Sequence, residues 1–249
     1  MAPRRSVLVN GTPKTGTTWM AMLLCSLPGY RSAGNFQGEI AGYRSVGSGH
    51  IIHGHDRFTP ELAKILAQQG IGVVVMLRDP RDQVVSRMYH IRRDRSHRWR
   101  EQLAAMDDDQ ALMTLIEGRP GLENVREQYE ISLSWLASDV DVCCVRYEDL
   151  ASDPVPVFTR VLHQLGIEAS PDQVAESVRR NRFARLTAGR RFWHRGRQPG
   201  EEDVSSHFRK GITGDWRNHF RPAHVQRFDE IAHDLLVGLG YEQEGQAWT

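Results

Sequence analysis

The apolar positions of the chain fall into two periods, and their alternation sets the expected fold. Ser6–Asn10 (SVLVN) and Gly72–Leu77 (GVVVML) are continuous apolar runs, as in strands covered on both faces. His50–His53 (HIIH) and Asp141–Tyr147 (DVCCVRY) are read as strands as well. Between them, residues 17–27, 60–69, 123–137 and 154–165 have the pattern of helices with a buried face. Pro171–Arg180 and Pro222–Leu239 are further helices. Pro28-Gly29 closes the first helix, Gly70 closes the second, and Asp79-Pro80 opens another with proline at an early position. Residues 32–49, rich in Gly and Ser, are expected to be loop. Strands alternating with helices over the first 165 residues predict an α/β fold of three layers, a central parallel sheet with helices on both faces. No repeat, low-complexity tract or linker interrupts the pattern, so residues 1–249 are expected to form one domain.

Composition narrows the class. With 249 residues, 40% hydrophobic and 25% charged, the chain can bury a large core without staples. Three cysteines, two of them adjacent (Cys143, Cys144), exclude a disulfide framework and suit a reducing compartment. The short N-terminal stretch is no signal peptide, and no apolar run is long enough to span a membrane, so a cytoplasmic location is expected. A net charge of +1 gives no general attraction to nucleic acid. The positive charge is nonetheless uneven: residues 78–100 and 179–197 hold eight arginines each.

Val7–Met20 (VLVNGTPKTGTTWM) is a strand, a Gly/Pro/Thr loop and a helix in succession. That order puts backbone N–H groups and a helix dipole around a common point, which attracts anions. Thr17 and Thr18 add hydroxyl donors. Gly11 and Gly16 keep the glycine spacing of a nucleoside-triphosphate loop, but Thr17 stands where that loop needs lysine. The cation is Lys14, within the loop, one of three lysines against 29 arginines. The phosphate cradle is therefore retained without the usual kinase chemistry.

Pro13-Lys14-Thr15-Gly16-Thr17-Thr18-Trp19 resembles the 5′-phosphosulfate loop of cytosolic-type sulfotransferases that use 3′-phosphoadenosine 5′-phosphosulfate (PAPS). Three more segments match that family in order. They are Arg78-Asp79-Pro80-Arg81-Asp82 with Ser86, Tyr147-Glu148-Asp149-Leu150, and Arg209-Lys210-Gly211-Ile212-Thr213-Gly214-Asp215-Trp216. The resemblance spans residues 5–240 and implies the family's roles, position by position. Lys14, Thr15, Gly16, Thr17 and Thr18 would take the 5′-phosphosulfate. Arg78, Ser86, Arg209, Lys210 and the Gly211 amide would take the 3′-phosphate. Trp19 and Phe183 would pack on adenine, with Tyr147 and Asn181 near the base. His55 takes the place of the family's general base and Lys14 that of its leaving-group cation, with Ser86 restraining Lys14. The family often has lysine where this chain has His53, and Glu39 is a minor rival to His55 for the role of base. The dimerisation pattern of animal relatives is not matched at Arg217, Arg221-Pro222 and Gln226, and the oligomeric state stays open.

Sulfuryl transfer demands no metal clamp, and the eleven histidines are scattered; His53-x-His55-Asp56 lacks a third ligand at a recognised spacing, so no metal is expected. The implied function is transfer of a sulfuryl group to a hydroxyl or amine of a small-molecule acceptor, with PAP as the spent cofactor. The brief 28–49 segment points to a bulky acceptor such as a natural product, and the basic stretches with Trp99, Phe192 and Trp193 admit an acidic sugar. Two rivals remain: a nucleotide kinase or NTPase on the same loop, and a polyanion-binding module using the arginine-rich faces.

Overall fold

Each apolar run becomes a strand. In a computed structural model of the protein, residues 4–36, 38–188 and 195–243 are described. In chain order the elements are β1 (Val7–Gly11), α1 (Thr17–Cys25), β2 (Arg31–Gly34), α2 (Ile40–Tyr43), β3 (His50–His53), α3 (Pro60–Gln68), β4 (Gly72–Leu77) and α4 (Pro80–Arg93). They continue with α5 (Arg100–Ala104), α6 (Asp108–Glu117), α7 (Val125–Leu136), β5 (Val142–Arg146), α8 (Tyr147–Ser152), α9 (Pro154–Gln164), α10 (Pro171–Arg180), α11 (Phe183–Thr187) and α12 (Pro222–Gly238). A 3-10 turn at Asp215–Asn218 precedes α12. The chain divides into two compact units, Met1–Arg78 with Glu130–Pro199 and Asp79–Tyr129 with Gly200–Thr249.

The first unit holds a parallel sheet in the order β2-β3-β1-β4-β5. β1 and β4 are buried at every position, as their unbroken apolar runs require. Val7, Val9, Met20, Leu23, Val74, Met76, Val145, Phe158 and Leu162 form the core between sheet and helices. Burial also pushes the Cys143 thiol up to about 11, far from reactivity. Helix starts follow their polar signals: the Thr59 side chain accepts from the Leu62 amide, and Ser170 and Gln173 close a capping box at α10.

The second unit is helical. Asp79 caps α4 by accepting from the Arg81 amide at 2.9 Å, and Asp107 with Gln110 forms a capping box at α6. His224 on α12 is buried and donates from Nε2 to the Asp109 carbonyl at 2.9 Å. Two arginines of the 92–100 stretch, Arg92 and Arg98, act as internal ties. Arg92 donates to the Leu103 and Met106 carbonyls at 3.0 Å each, and both Arg98 and the Trp99 indole donate to the Gly121 carbonyl.

The loop expected at 32–49 needs correction: it contains the end of β2 and all of α2. β2 is a mostly exposed edge strand, so it shows no apolar run; it forms by pairing with β3, Arg31 opposite His50. The expected helices and strands elsewhere start and stop within two residues of the observed ends. Phe192 and Trp193, named with the basic stretches that admit an acidic sugar, lie outside the described residues.

Candidate functional site

β1 delivers the chain into a loop whose backbone only glycine tolerates at two points. Gly11 has φ 146°, and a Cβ there would lie 2.6 Å from the Met76 carbonyl oxygen; Gly16 has φ 98°, and a Cβ would lie 2.8 Å from Tyr147 Cδ2. Between them Lys14 adopts φ 75°, the left-handed region. The turn is pinned on its inner side. The Thr15 hydroxyl donates to the Thr12 carbonyl at 2.7 Å, and the Thr12 amide donates to Ser132 Oγ at 2.9 Å. α1 then begins at Thr17 with no side-chain cap, leaving its first amides to whatever occupies the loop.

Two histidines stand at the C-terminal end of β3, beside this loop. His55 Nδ1 lies 2.6 Å from the Gly11 carbonyl. A carbonyl only accepts, so Nδ1 carries the proton and the neutral ring has its lone pair on Nε2. Burial lowers the His55 pKa, the Gly11 contact raises it, Lys14 lowers it and Asp56 raises it, with a net fall. His53 Nε2 lies 2.8 Å from Thr17 Oγ1 and 3.5 Å from Thr18 Oγ1. Burial, then His55, then Lys14 push the His53 pKa down to about 4. The two rings meet edge to face at 5.0 Å.

The turn carrying His55 is held from several sides. Fully buried Asn10 at the end of β1 donates to the Asp56 carbonyl at 2.8 Å and accepts from its amide at 2.9 Å. The Trp135 indole donates to the same carbonyl at 2.7 Å, and the Tyr43 hydroxyl donates to the Asp56 carboxylate at 2.6 Å. Asn10, Tyr43 and Trp135 were not singled out as site residues from the sequence, and Asp56 was considered only as a metal ligand. Asn10 had left a signal, a polar side chain at the end of an apolar strand run. Glu39, the minor rival base, is exposed.

On the other side of the loop, Arg78 stacks over the Tyr147 ring at 4.5 Å and reaches the Lys14 carbonyl at 3.4 Å. Trp19 meets Tyr147 edge to face at 5.8 Å, and its indole donates to the Asn181 carbonyl at 2.9 Å. The Asn181 side chain is engaged elsewhere: its amide donates to Ser26 Oγ and to the Ser177 carbonyl, each at 2.8 Å. Asn181 thus holds Trp19 through its backbone. Phe183, half-buried on α11, lies under Arg197 at 5.3 Å.

The second unit gathers Arg209 and Lys210 around buried Asp215. Its carboxylate accepts from Arg209 at 2.5 Å, Lys210 at 2.7 Å, Asn218 at 2.9 Å and His219 at 3.3 Å. Burial pushes the Asp215 pKa up, but hydrogen bonds from His219, Lys210, Asn218 and Arg209 outweigh it and hold the carboxyl well below its usual range. Arg209 also pairs with Glu202 and lies over Tyr89 at 4.6 Å. Gly211 follows with φ 67°. Buried Asp82 on α4 accepts from the Gly214 amide at 2.7 Å and the Trp216 amide at 2.9 Å, fixing the end of this loop. The Arg81 and Arg217 guanidinium groups each lie over the Trp216 ring, at 4.3 Å and 4.4 Å. Ser86 is half-buried on α4. Among the described residues, Glu202, Asp215 and His219 are close enough to hold a cation, but Arg209 and Lys210 already neutralise the two carboxylates.

Comparison with known proteins places these features in context. The sequence profile of the sulfotransferase domain matches residues 4–240. Cytosolic sulfotransferase 16 of Arabidopsis thaliana is 25% identical over 272 residues, taking in 95% of this chain and 77% of that protein. Cytosolic sulfotransferase 17 of the same plant is 25% identical over 192 residues, 72% of this chain; the match spans 54% of that protein, about half its length. Among solved structures, mouse sulfotransferase SULT7A1 complexed with PAP superposes with a TM-score of 0.71 at 21% identity, covering 93% of this chain and 84% of that one. Retinol dehydratase in a complex with retinol and PAP gives 0.63 at 16% identity, covering 99% and 84%. These likenesses establish the fold: a parallel five-stranded sheet with helices around it.

Proposed function

The chain belongs to the sulfotransferase domain family, and from that premise we propose that it transfers a sulfuryl group from PAPS to a hydroxyl or amine of a small-molecule acceptor. The observation that carries the reading is the pairing of the Lys14 loop with His55. A base-competent imidazole is hydrogen-bonded at 2.6 Å to the glycine that opens the phosphate loop. A kinase has no use for that contact, and a polyanion-binding face has none either.

PAPS, when bound, supplies the sulfuryl group and leaves as PAP. The loop from Lys14 to Thr18 holds the 5′-phosphosulfate with amides, hydroxyls and one ammonium. His55 Nε2, its lone pair set by the Gly11 contact, takes the acceptor proton as the new bond to sulfur forms. Lys14 stabilises charge on the phosphate oxygen that sulfur leaves. Trp19 and Phe183 offer flat faces to adenine, and Trp19 is held for that task by Asn181 and Tyr147. Arg78 in the first unit, and Ser86, Arg209, Lys210 and the Gly211 amide in the second, are the donors that the family resemblance implies for the 3′-phosphate. Asp215 pairs with both Arg209 and Lys210 and holds the two side chains in place. The plant relatives are named cytosolic sulfotransferases, and a further relative is a flavonol 3-sulfotransferase. Among the described residues no helix is long and apolar enough to cross a membrane. A bulky natural product is the proposed acceptor, and the names of the plant relatives support the cytoplasm as the proposed location.

Calorimetric titration with PAP, without metal, tests this reading. The protein is expected to bind PAP at micromolar concentration or tighter. Loss of a charge-assisted phosphate contact in Arg209→Ala should weaken binding by about tenfold to a hundredfold, and AMP, lacking the 3′-phosphate, should bind as poorly. Equal binding of AMP and PAP would overturn the assignment.

A further inference from the structure

A hydroxyl has one proton, and the direction in which Thr17 spends it decides what the loop offers an anion. Thr17 opens α1, where the uncapped amides converge. Its Oγ1 is 2.8 Å from His53 Nε2, and Thr18 Oγ1 is 3.5 Å from the same nitrogen. Two arrangements satisfy the closer contact. If Thr17 donates to a bare Nε2, its lone pairs face the loop and repel an anion. If Nε2–H donates to Thr17, the hydroxyl proton turns into the loop and joins the amides.

The ring has reason to be neutral. It is half-buried, Lys14 and His55 oppose its protonation, and His53 titrates only near about 4. The choice therefore lies between two neutral tautomers. Among the described residues no hydrogen bond engages the other nitrogen, Nδ1, so nothing on that side fixes the tautomer. The occupant of the loop does, and an anion selects the Nε2–H form.

We propose that His53 is a positioning residue which, as the Nε2–H tautomer, turns the Thr17 hydroxyl toward the 5′-phosphosulfate. The inference rests on the cofactor reading above and adds a residue that acts through Thr17 rather than on the reacting atoms. His53 thus contributes hydrogen-bond direction while Lys14 contributes charge. Its effect falls on cofactor affinity and the KM for PAPS, not on the proton transfer at His55.

The test combines PAP calorimetry, kinetics and nitrogen-15 NMR of the imidazoles. His53→Gln keeps an N–H donor near the Nε2 position and should stay within about threefold of wild type. His53→Leu and Thr17→Val should each bind PAP about tenfold to a hundredfold more weakly. The double variant should bind no more weakly than the poorer single one, since both remove one interaction. The KM for PAPS should rise in His53→Leu while the pH profile of kcat stays in place. With PAP bound to wild type, the His53 resonances should report a protonated Nε2. A bare Nε2 in that complex, additive losses in the double variant, or His53→Gln binding as poorly as His53→Leu would each overturn the proposal. Those outcomes leave wild-type PAP binding intact; its absence would instead bring down the cofactor reading and this inference together.

Discussion

His55 has one ring nitrogen committed to the Gly11 carbonyl and the other left with a lone pair. The His55→Ala variant should lose about a hundredfold to ten-thousandfold in kcat, with PAP affinity nearly unchanged. The base works only when neutral, and burial followed by the Lys14 charge lowers its pKa despite the Gly11 contact. Activity should therefore persist below the ordinary histidine value and fall only as pH drops through the lowered one. A pH profile of kcat/KM would check the sign; an acid limb at or above the ordinary value would contradict it. The residues of this scale were legible in part. Lys14, Thr17 and His55 stood in a recognisable order along the chain. The tautomer of His55 was not legible, because it depends on a carbonyl 44 residues away in sequence.

At the scale of elements, the strands bring the chemistry together. Parallel pairing sets Val9 opposite His53, so the C-terminal ends of β1 and β3 deliver the Lys14 loop and the two histidines side by side. Asn10 then clamps the Asp56 backbone on both its donor and acceptor sides. The Asn10→Ala variant leaves the half-buried Asp56 amide unpaired, while the Asp56 carbonyl keeps the Trp135 indole, and should cost about 1–3 kcal/mol. It should also reduce kcat by up to about a hundredfold by displacing His55, while the Kd for PAP changes little. Urea denaturation and steady-state kinetics would separate the two effects. The short elements α5, α8 and α11 and the edge strand β2 had no periodic signal long enough to be read. α6 was not read from the sequence either, although Asp107, Gln110 and Gly118 are start and stop signals of the kind that mark a helix.

For the whole molecule, buried groups link folding to pH. His53 is held neutral in the folded state, with its pKa at about 4 against an ordinary value of about 6.5. The unfolded chain therefore binds more protons between these values. Stability from this group is fully present above the ordinary value and is lost as pH falls toward the folded one; the lowered pKa of His55 acts in the same direction. Asp215 acts lower: its depressed pKa gives stability that persists above the ordinary carboxylate value and is lost only below it. Urea midpoints measured between a pH of about 7 and about 4 should fall in wild type and fall less steeply in His53→Gln. An unchanged slope in the variant would contradict the buried neutral ring.

The sequence by itself determined the strand runs, the helices with polar starts, and the Gly11–Gly16 loop, because these depend on neighbours within a few residues. It also carried four segments in the order of a known family, enough to indicate the cofactor. Tertiary structure alone decided that Asn10, Tyr43 and Trp135 converge on Asp56, that Asn181 turns its amide inward, and that Arg92 and Arg98 are spent on internal carbonyls. Those contacts join residues far apart along the chain. A side chain's partner across such a distance depends on packing and desolvation, which no local pattern of hydrophobic and polar positions records.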